Sequence, residues 1–175
     1  VIAYLGLGSN LGDRLQNLQA AVNFMDLRVG SVLRISSIYE TAPLYRADQP
    51  WFLNAVLEVK TPHAPPALLR VVKAVEEEMG RTSGERYAPR IIDIDILTMS
   101  EERGGPAITY KRESDHLILP HPALTERRFV LEPLAELAPD LVIGGLSIKA
   151  WLEKPEIQEQ TVRRVAGVSL SVHSD

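Results

Sequence analysis

Apolar residues at Leu15, Leu18, Val22 and Met25 recur at spacings of three and four, which predicts an amphipathic helix over residues 13–27. A second stripe, Leu68, Leu69, Val72, Val75 and Met79, predicts a helix opened by Pro65-Pro66 and stopped at Gly80. Around them lie β-rich runs at 1–7, 31–39, 52–59 and 91–97. Gly8-Ser9-Asn10 breaks the first run, and either Ser9 or Asn10 is placed to cap the helix that follows. Two long connections remain, 41–50 with prolines near both ends and 81–90. The order β-α-β-β-α-β predicts an α+β fold of ferredoxin-like type, a mainly antiparallel sheet with helices packed on one face. C-terminal additions follow: a charged loop at 101–105, a short hairpin, a Pro-His-Pro turn at 120–122, a helix through Phe129, Leu131, Leu134 and Leu137, and a short helix at Trp151. One domain is expected over 1–160, with 161–175 a partly ordered tail.

Composition narrows the chemistry. The 175 residues include no cysteine, which excludes disulfides, thiolate metal sites and cysteine nucleophiles. A net charge of −4 argues against a general nucleic-acid binder. No apolar run approaches the ~20 residues of a membrane span, and the first residues lack the basic flank of a secretion signal. A cytoplasmic enzyme or binding domain is the expectation.

The sharpest local feature is Ile91-Ile92-Asp93-Ile94-Asp95-Ile96-Leu97. On a strand, Asp93 and Asp95 share one face with Cα atoms roughly 7 Å apart, while Ile92, Ile94 and Ile96 face the helices. Carboxylates this close repel unless a cation lies between them. Magnesium prefers such hard oxygens, together with water and substrate phosphates. A solvated acidic face is the bland alternative. Arg81, Arg86 and Arg90 shift the balance, because guanidinium forks match phosphate oxygens and all three directly precede the aspartates. Those arginines would otherwise make surface pairs worth only ~0–1 kcal/mol each.

Other candidates carry less alone. Gly6-Leu7-Gly8-Ser9-Asn10-Leu11-Gly12 misses the dinucleotide fingerprint by one position and reads as a tight strand-to-helix turn. His121, fixed between prolines, is either structural or a donor to phosphate. The four histidines form no spaced metal pair. Thr41, Leu44, Phe52 and Asn54 flank the proline-bounded loop, where an aromatic ring and an amide suit a flat heterocycle, although such residues also begin ordinary strands. With no nucleophile evident, direct transfer between bound substrates is the simplest chemistry.

Four ordered segments together resemble the 6-hydroxymethyl-7,8-dihydropterin pyrophosphokinase family of folate synthesis. They are Gly8-Ser9-Asn10-Leu11, Asp48-Gln49-Pro50 through Leu53-Asn54-Ala55, Arg86-Tyr87-Ala88-Pro89-Arg90-Ile91-Ile92-Asp93-Ile94-Asp95, and Leu119-Pro120-His121-Pro122. The resemblance covers roughly residues 1–152. It implies transfer of pyrophosphate from ATP to the hydroxymethyl pterin, with release of AMP. By the same resemblance, Asp93 and Asp95 would hold two Mg2+ ions and Arg81, Arg86 and Arg90 would engage the triphosphate. Glu76, Ile96, His121 and Arg127 would contact ATP. The pterin would lie between Phe52 and Phe129, met by Thr41, Ala42, Leu44, Asn54 and Tyr87. A monomer without nucleic-acid or membrane partners is implied. The sequence departs from the family pattern at Tyr87-Ala88, where Trp-Gly is frequent, at Ser83 in a usually basic position, and at Pro122, where an aromatic is common. The loop after Thr98 is also longer than usual. Two rivals stay open on the residues alone: a nucleotide-sensing module, which leaves the paired aspartates unexplained, and a phosphotransferase that releases ADP.

Overall fold

A computed structural model of the chain describes residues 1–43, 48–80 and 90–172. Strand β1 (Ile2–Ser9) lies in the middle of the main sheet, antiparallel to β4 (Phe52–Lys60) on one side and β5 (Asp93–Ser100) on the other. Beyond β4 come β2 (Ser31–Ile35) and β3 (Tyr39–Thr41), both paired with β4, and then β10 (Val162–Arg164) on β3. Helices α1 (Arg14–Arg28) and α2 (Pro65–Glu78) cover one face, as the apolar stripes require. Their Leu18, Val22, Met25, Leu68, Val72 and Val75 pack with Leu5, Leu7, Leu57, Ile94 and Ile96 of the sheet in one core.

The sheet is buried on its other face as well. There α3 (Arg128–Leu137) and α4 (Ile148–Leu152) pack on Ile2, Tyr4, Val56 and Leu97. Alternation along β1 and β4 therefore sends apolar residues both ways: the two core helices share one face as expected, and helices of the C-terminal additions cover the other. The smaller additions are the hairpin β6 (Tyr110–Arg112) and β7 (Leu117–Leu119), the pair β8 (Val142–Ile143) and β9 (Leu146–Ser147), and α5 (Pro155–Gln158).

Four local expectations change. Residues 31–39 form two strands because the Ser36 hydroxyl takes the Val56 N–H at 2.8 Å, a place a ladder carbonyl would otherwise fill. Asp13, not Ser9 or Asn10, caps α1, its carboxylate accepting from the Gln16 N–H at 3.0 Å. Gly6 and Gly8 lie inside β1, and the turn falls at Asn10–Gly12, where Gly12 takes a φ of +70°. Strand β5 begins at Asp93, after Ile91 and Ile92.

Residues beyond 160 add β10, and Leu170 is buried in the helix-side core. Glu40 of β3 binds Arg14 at 3.0 Å and also pairs with Arg163 of β10, whose guanidinium lies over the Trp51 ring. That cluster fastens the added strand to the sheet.

Candidate active site

Pairing places the key residues in rows. Asn54, Gly8 and Asp93 lie opposite one another across β4, β1 and β5, and Val56, Gly6 and Asp95 form the next such row. Directly paired residues share a face. Asn54 and Asp93 therefore stand two strand spacings apart, about 9.5 Å, on the face away from α1 and α2. Gly8 leaves the space between them open. A Cβ there would approach the Asn54 Oδ1 at 3.2 Å and the Phe52 ring at 3.6 Å. Gly8 thus forms the floor between the two walls, a role its sequence spacing did not disclose, whereas Gly6 is covered by the Leu97 side chain, which a Cβ there would meet at 3.4 Å.

A bulge in the β1–β5 register between Tyr4 and Leu5 sets the facing of β5. Before it, Asp93 and Asp95 point into the cleft. After it, Met99 returns to the helix-side core, where it is fully buried. Asp95 is exposed and Asp93 half-buried, with the Arg90 Nε 3.9 Å from Asp93. Ile92, Ile94 and Ile96 pack on the helices as expected. The side chain of Ile96 therefore points away from the cleft, and only its backbone can meet a ligand there.

On the opposite wall the Asn54 Nδ2 donates to the Thr41 Oγ1 at 2.9 Å, both side chains being buried. The Thr41 hydroxyl keeps its own proton to donate, and the Asn54 carbonyl faces Gly8. Phe52 is half-buried on the same side of β4, and Ala42 directly follows β3. Helix α3 crosses β4 and β3 on this face, bringing the half-buried Phe129 at its start over the same region.

Above Asp95 sits the Pro-His-Pro turn. The His121 N–H donates to the Leu97 carbonyl at 2.7 Å, and its Nδ1 accepts from the Ala123 N–H at 3.1 Å. The ring proton consequently resides on Nε2. Burial pushes the His121 pKa below the ordinary histidine value; the Asp95 charge pulls it up and the Arg127 charge pushes it further down. A neutral Nε2–H donor beside Asp95 and Arg127 is the result. Arg127 stacks on Phe129 at 5.7 Å, whereas the neighbouring Arg128 is committed to Glu132 and to the carbonyls of Gln158 and Gln160.

Glu76 does not share the aspartate face. It is buried on α2, and its Oε2 accepts the Ile94 N–H at 2.9 Å, so it ties the helix to the outer edge of β5. Leu44, Arg81, Arg86 and Tyr87 lie outside the described residues. Sequence reasoning placed Asn10 as a candidate helix cap and in the first family-like segment, but not as the residue that links the ends of both long connections.

The chain has relatives of known family. Residues 4–139 match the model of the 7,8-dihydro-6-hydroxymethylpterin-pyrophosphokinase family. The chain belongs to that family. A 2-amino-4-hydroxy-6-hydroxymethyldihydropteridine pyrophosphokinase of Methylorubrum extorquens is 44% identical over 153 residues, 87% of this chain and 92% of that protein. One from Bacillus subtilis is 39% identical over 175 residues, 99% of this chain and 98% of that one. A crystal structure of Plasmodium falciparum HPPK-DHPS with pteroate shares the fold with a TM-score of 0.66 and 20% identity. The match covers 93% of this chain but only 45% of that longer one. The chain is accordingly a pterin pyrophosphokinase of folate synthesis.

Proposed function

We propose that the cleft transfers the terminal pyrophosphoryl group of ATP directly to 6-hydroxymethyl-7,8-dihydropterin, without a covalent enzyme intermediate. The observation that carries this reading is the pairing of a polar, aromatic wall (Thr41, Asn54, Phe52) with a carboxylate wall (Asp93, Asp95) across glycines. One wall suits a flat heterocycle and the other a metal-bound polyphosphate. Asp93 and Asp95 fit Mg2+ by chemistry, offering two hard oxygen donors at an accessible strand edge. Among the described residues no group of three or more metal-binding side chains forms, which suits an ion that completes its shell with water and phosphate. Two such ions, when bound, would neutralise phosphate oxygens in the transition state.

The rest of the work falls to this chain's own residues. Phe52 and Phe129 sandwich the pterin, while Thr41, Asn54 and the backbone around Ala42 bond its polar edge. The His121 Nε2–H and the Arg127 and Arg90 guanidiniums bind the nucleotide's phosphates, together with Arg81 and Arg86. Glu76 holds β5, and with it the aspartates, at the nucleoside side. The hydroxymethyl oxygen attacks the β-phosphorus and gives up its proton to solvent, the bond from the β-phosphorus to the oxygen bridging the α-phosphorus breaks, and AMP leaves with that oxygen. Positioning and charge neutralisation supply the catalysis. Residues 1–160, with β10 and Leu170 packed onto them, act as one catalytic domain in a cytoplasmic monomer. No helix among the described residues is long and apolar enough to cross a membrane.

Direct in-line displacement inverts configuration at the β-phosphorus. ATP made chiral there with oxygen isotopes should give inverted pterin diphosphate, and the protein should acquire no label from ATP alone. Retention of configuration, or a phosphorylated protein, contradicts direct transfer.

A further inference from the structure

We propose that Asn10 is a positioning residue that fixes the two walls of the cleft relative to each other. Its side chain is buried, at 1% exposure, and all of its short polar reach is used. The Oδ1 accepts the Arg90 N–H at 2.7 Å, while the Asn10 N–H donates to the Arg90 carbonyl at 3.0 Å. The Nδ2 donates to the Gln49 Oε1 at 3.2 Å and to the Pro50 carbonyl at 3.3 Å. One amide thus joins three chain segments separated by 39 to 80 positions.

Each segment leads directly into a wall. Pro50 lies two residues before Phe52 and four before Asn54. Arg90 lies three before Asp93 and five before Asp95. Asn10 itself follows β1, two residues after the Gly8 floor. The sheet fixes these strands along their length, but Gln49-Pro50 and Arg90-Ile91-Ile92 are outside it and need another constraint. An asparagine supplies one acceptor and two donors at this reach. Aspartate lacks the donors, and serine is too short to bridge all three segments.

The inference rests on the direct-transfer reading, because only transfer between two bound substrates depends on the spacing of the walls. A displacement near 1 Å in such a reaction costs about 100-fold in rate. Loss of the Asn10 links should therefore slow the chemical step while leaving each wall able to bind its own ligand. A residue that merely staples loops would instead alter stability and leave the step unchanged below the melting temperature.

The test compares the wild-type chain with Asn10→Ala and Gln49→Ala, the second removing one acceptor of the Asn10 amide while leaving its bonds to Arg90 and Pro50. Single-turnover transfer is measured with saturating Mg-ATP and pterin, and Kd values are measured separately for the pterin and for a non-hydrolysable ATP analogue. Asn10→Ala is expected to slow single turnover about 10- to 100-fold, with each Kd changed less than about threefold. Gln49→Ala should slow it several-fold with both affinities kept, which preserves the test if the first variant fails to fold. Wild-type single-turnover rates in the folded variants overturn the proposal, as do weakened affinities with an unchanged rate. A wild-type chain that transfers nothing overturns the direct-transfer reading itself, and the role of Asn10 falls with it.

Discussion

Asp95→Ala is expected to lower magnesium-dependent turnover by about a thousandfold or more while leaving the folded state intact. The carboxylate is exposed on β5, so its removal opens no cavity. It stands on the Gly6 row, one strand from the cleft floor, where it is one of only two carboxylates that project from β5 into the cleft. Losing a preorganised charge-stabilising group typically costs 10²–10³-fold in kcat, and on the metal-binding role proposed for Asp95 the ion's contribution would be lost as well. The check is turnover against magnesium concentration, beside thermal unfolding. A variant with wild-type turnover and magnesium dependence contradicts the metal assignment. A variant whose unfolding midpoint falls sharply would show that Asp95 acts on the fold.

The second large effect is on stability and arises away from the cleft. Glu58 on β4 is fully buried and accepts three partners: the Tyr4 hydroxyl at 2.7 Å, the Arg34 Nη2 at 2.8 Å, and Arg103. Arg34 also reaches the Leu137 carbonyl at the end of α3, so the cluster joins the sheet to the helix beyond it. Glu58→Ala leaves the buried Tyr4 hydroxyl without its acceptor. Both guanidiniums reach water, with side-chain exposures of 41% and 55%, which moderates the loss. The expected cost is about 2–4 kcal/mol, at the lower side of a broken buried pair. For a domain of this size that is a midpoint lower by roughly 5–15 °C.

The same group sets an acid limb. Burial pushes the Glu58 carboxyl up, but the hydrogen bonds from Arg34, Tyr4 and Arg103 overcome this and hold it below the ordinary 4.5. A carboxyl depressed in the folded state contributes stability that is fully present above its unfolded pKa and is lost as pH falls through the folded one. Wild-type stability should therefore decline as pH drops below about 4.5, and Glu58→Gln should flatten that decline. Unfolding by denaturant at several pH values reads both effects. An unchanged midpoint in Glu58→Ala would contradict the account of the cluster.

Much of this architecture was legible because its signals are local. The three-and-four spacing of α1 and α2 and the Asp-Ile-Asp alternation of β5 depend only on residues one turn or one pleat apart. What escaped depends on partners far along the chain. Gly8 inside β1 becomes the floor between two walls only when Asn54 and Asp93 stand opposite it. Ser36 divides a strand only because Val56 offers its N–H there. The pairing of β10 with β3 joins residues more than 100 positions apart and involves three residues on each strand, too few for a periodic signature. Glu58 did leave a trace, as the one acidic residue within the apolar run 53–59, and a buried carboxylate implies cationic partners. Of the site, the aspartate face and the Asn54 wall were readable from the sequence. The spacing between them was not, since it follows from the pairing of β4 and β5 on either side of β1.

Mixing the chain with ATP, Mg2+ and 6-hydroxymethyl-7,8-dihydropterin and resolving the nucleotide product separates pyrophosphoryl transfer from its rivals. Direct attack on the β-phosphorus predicts AMP appearing in equal amount with the pterin diphosphate. ADP with a pterin monophosphate, or ATP left intact beside unchanged pterin, would contradict it.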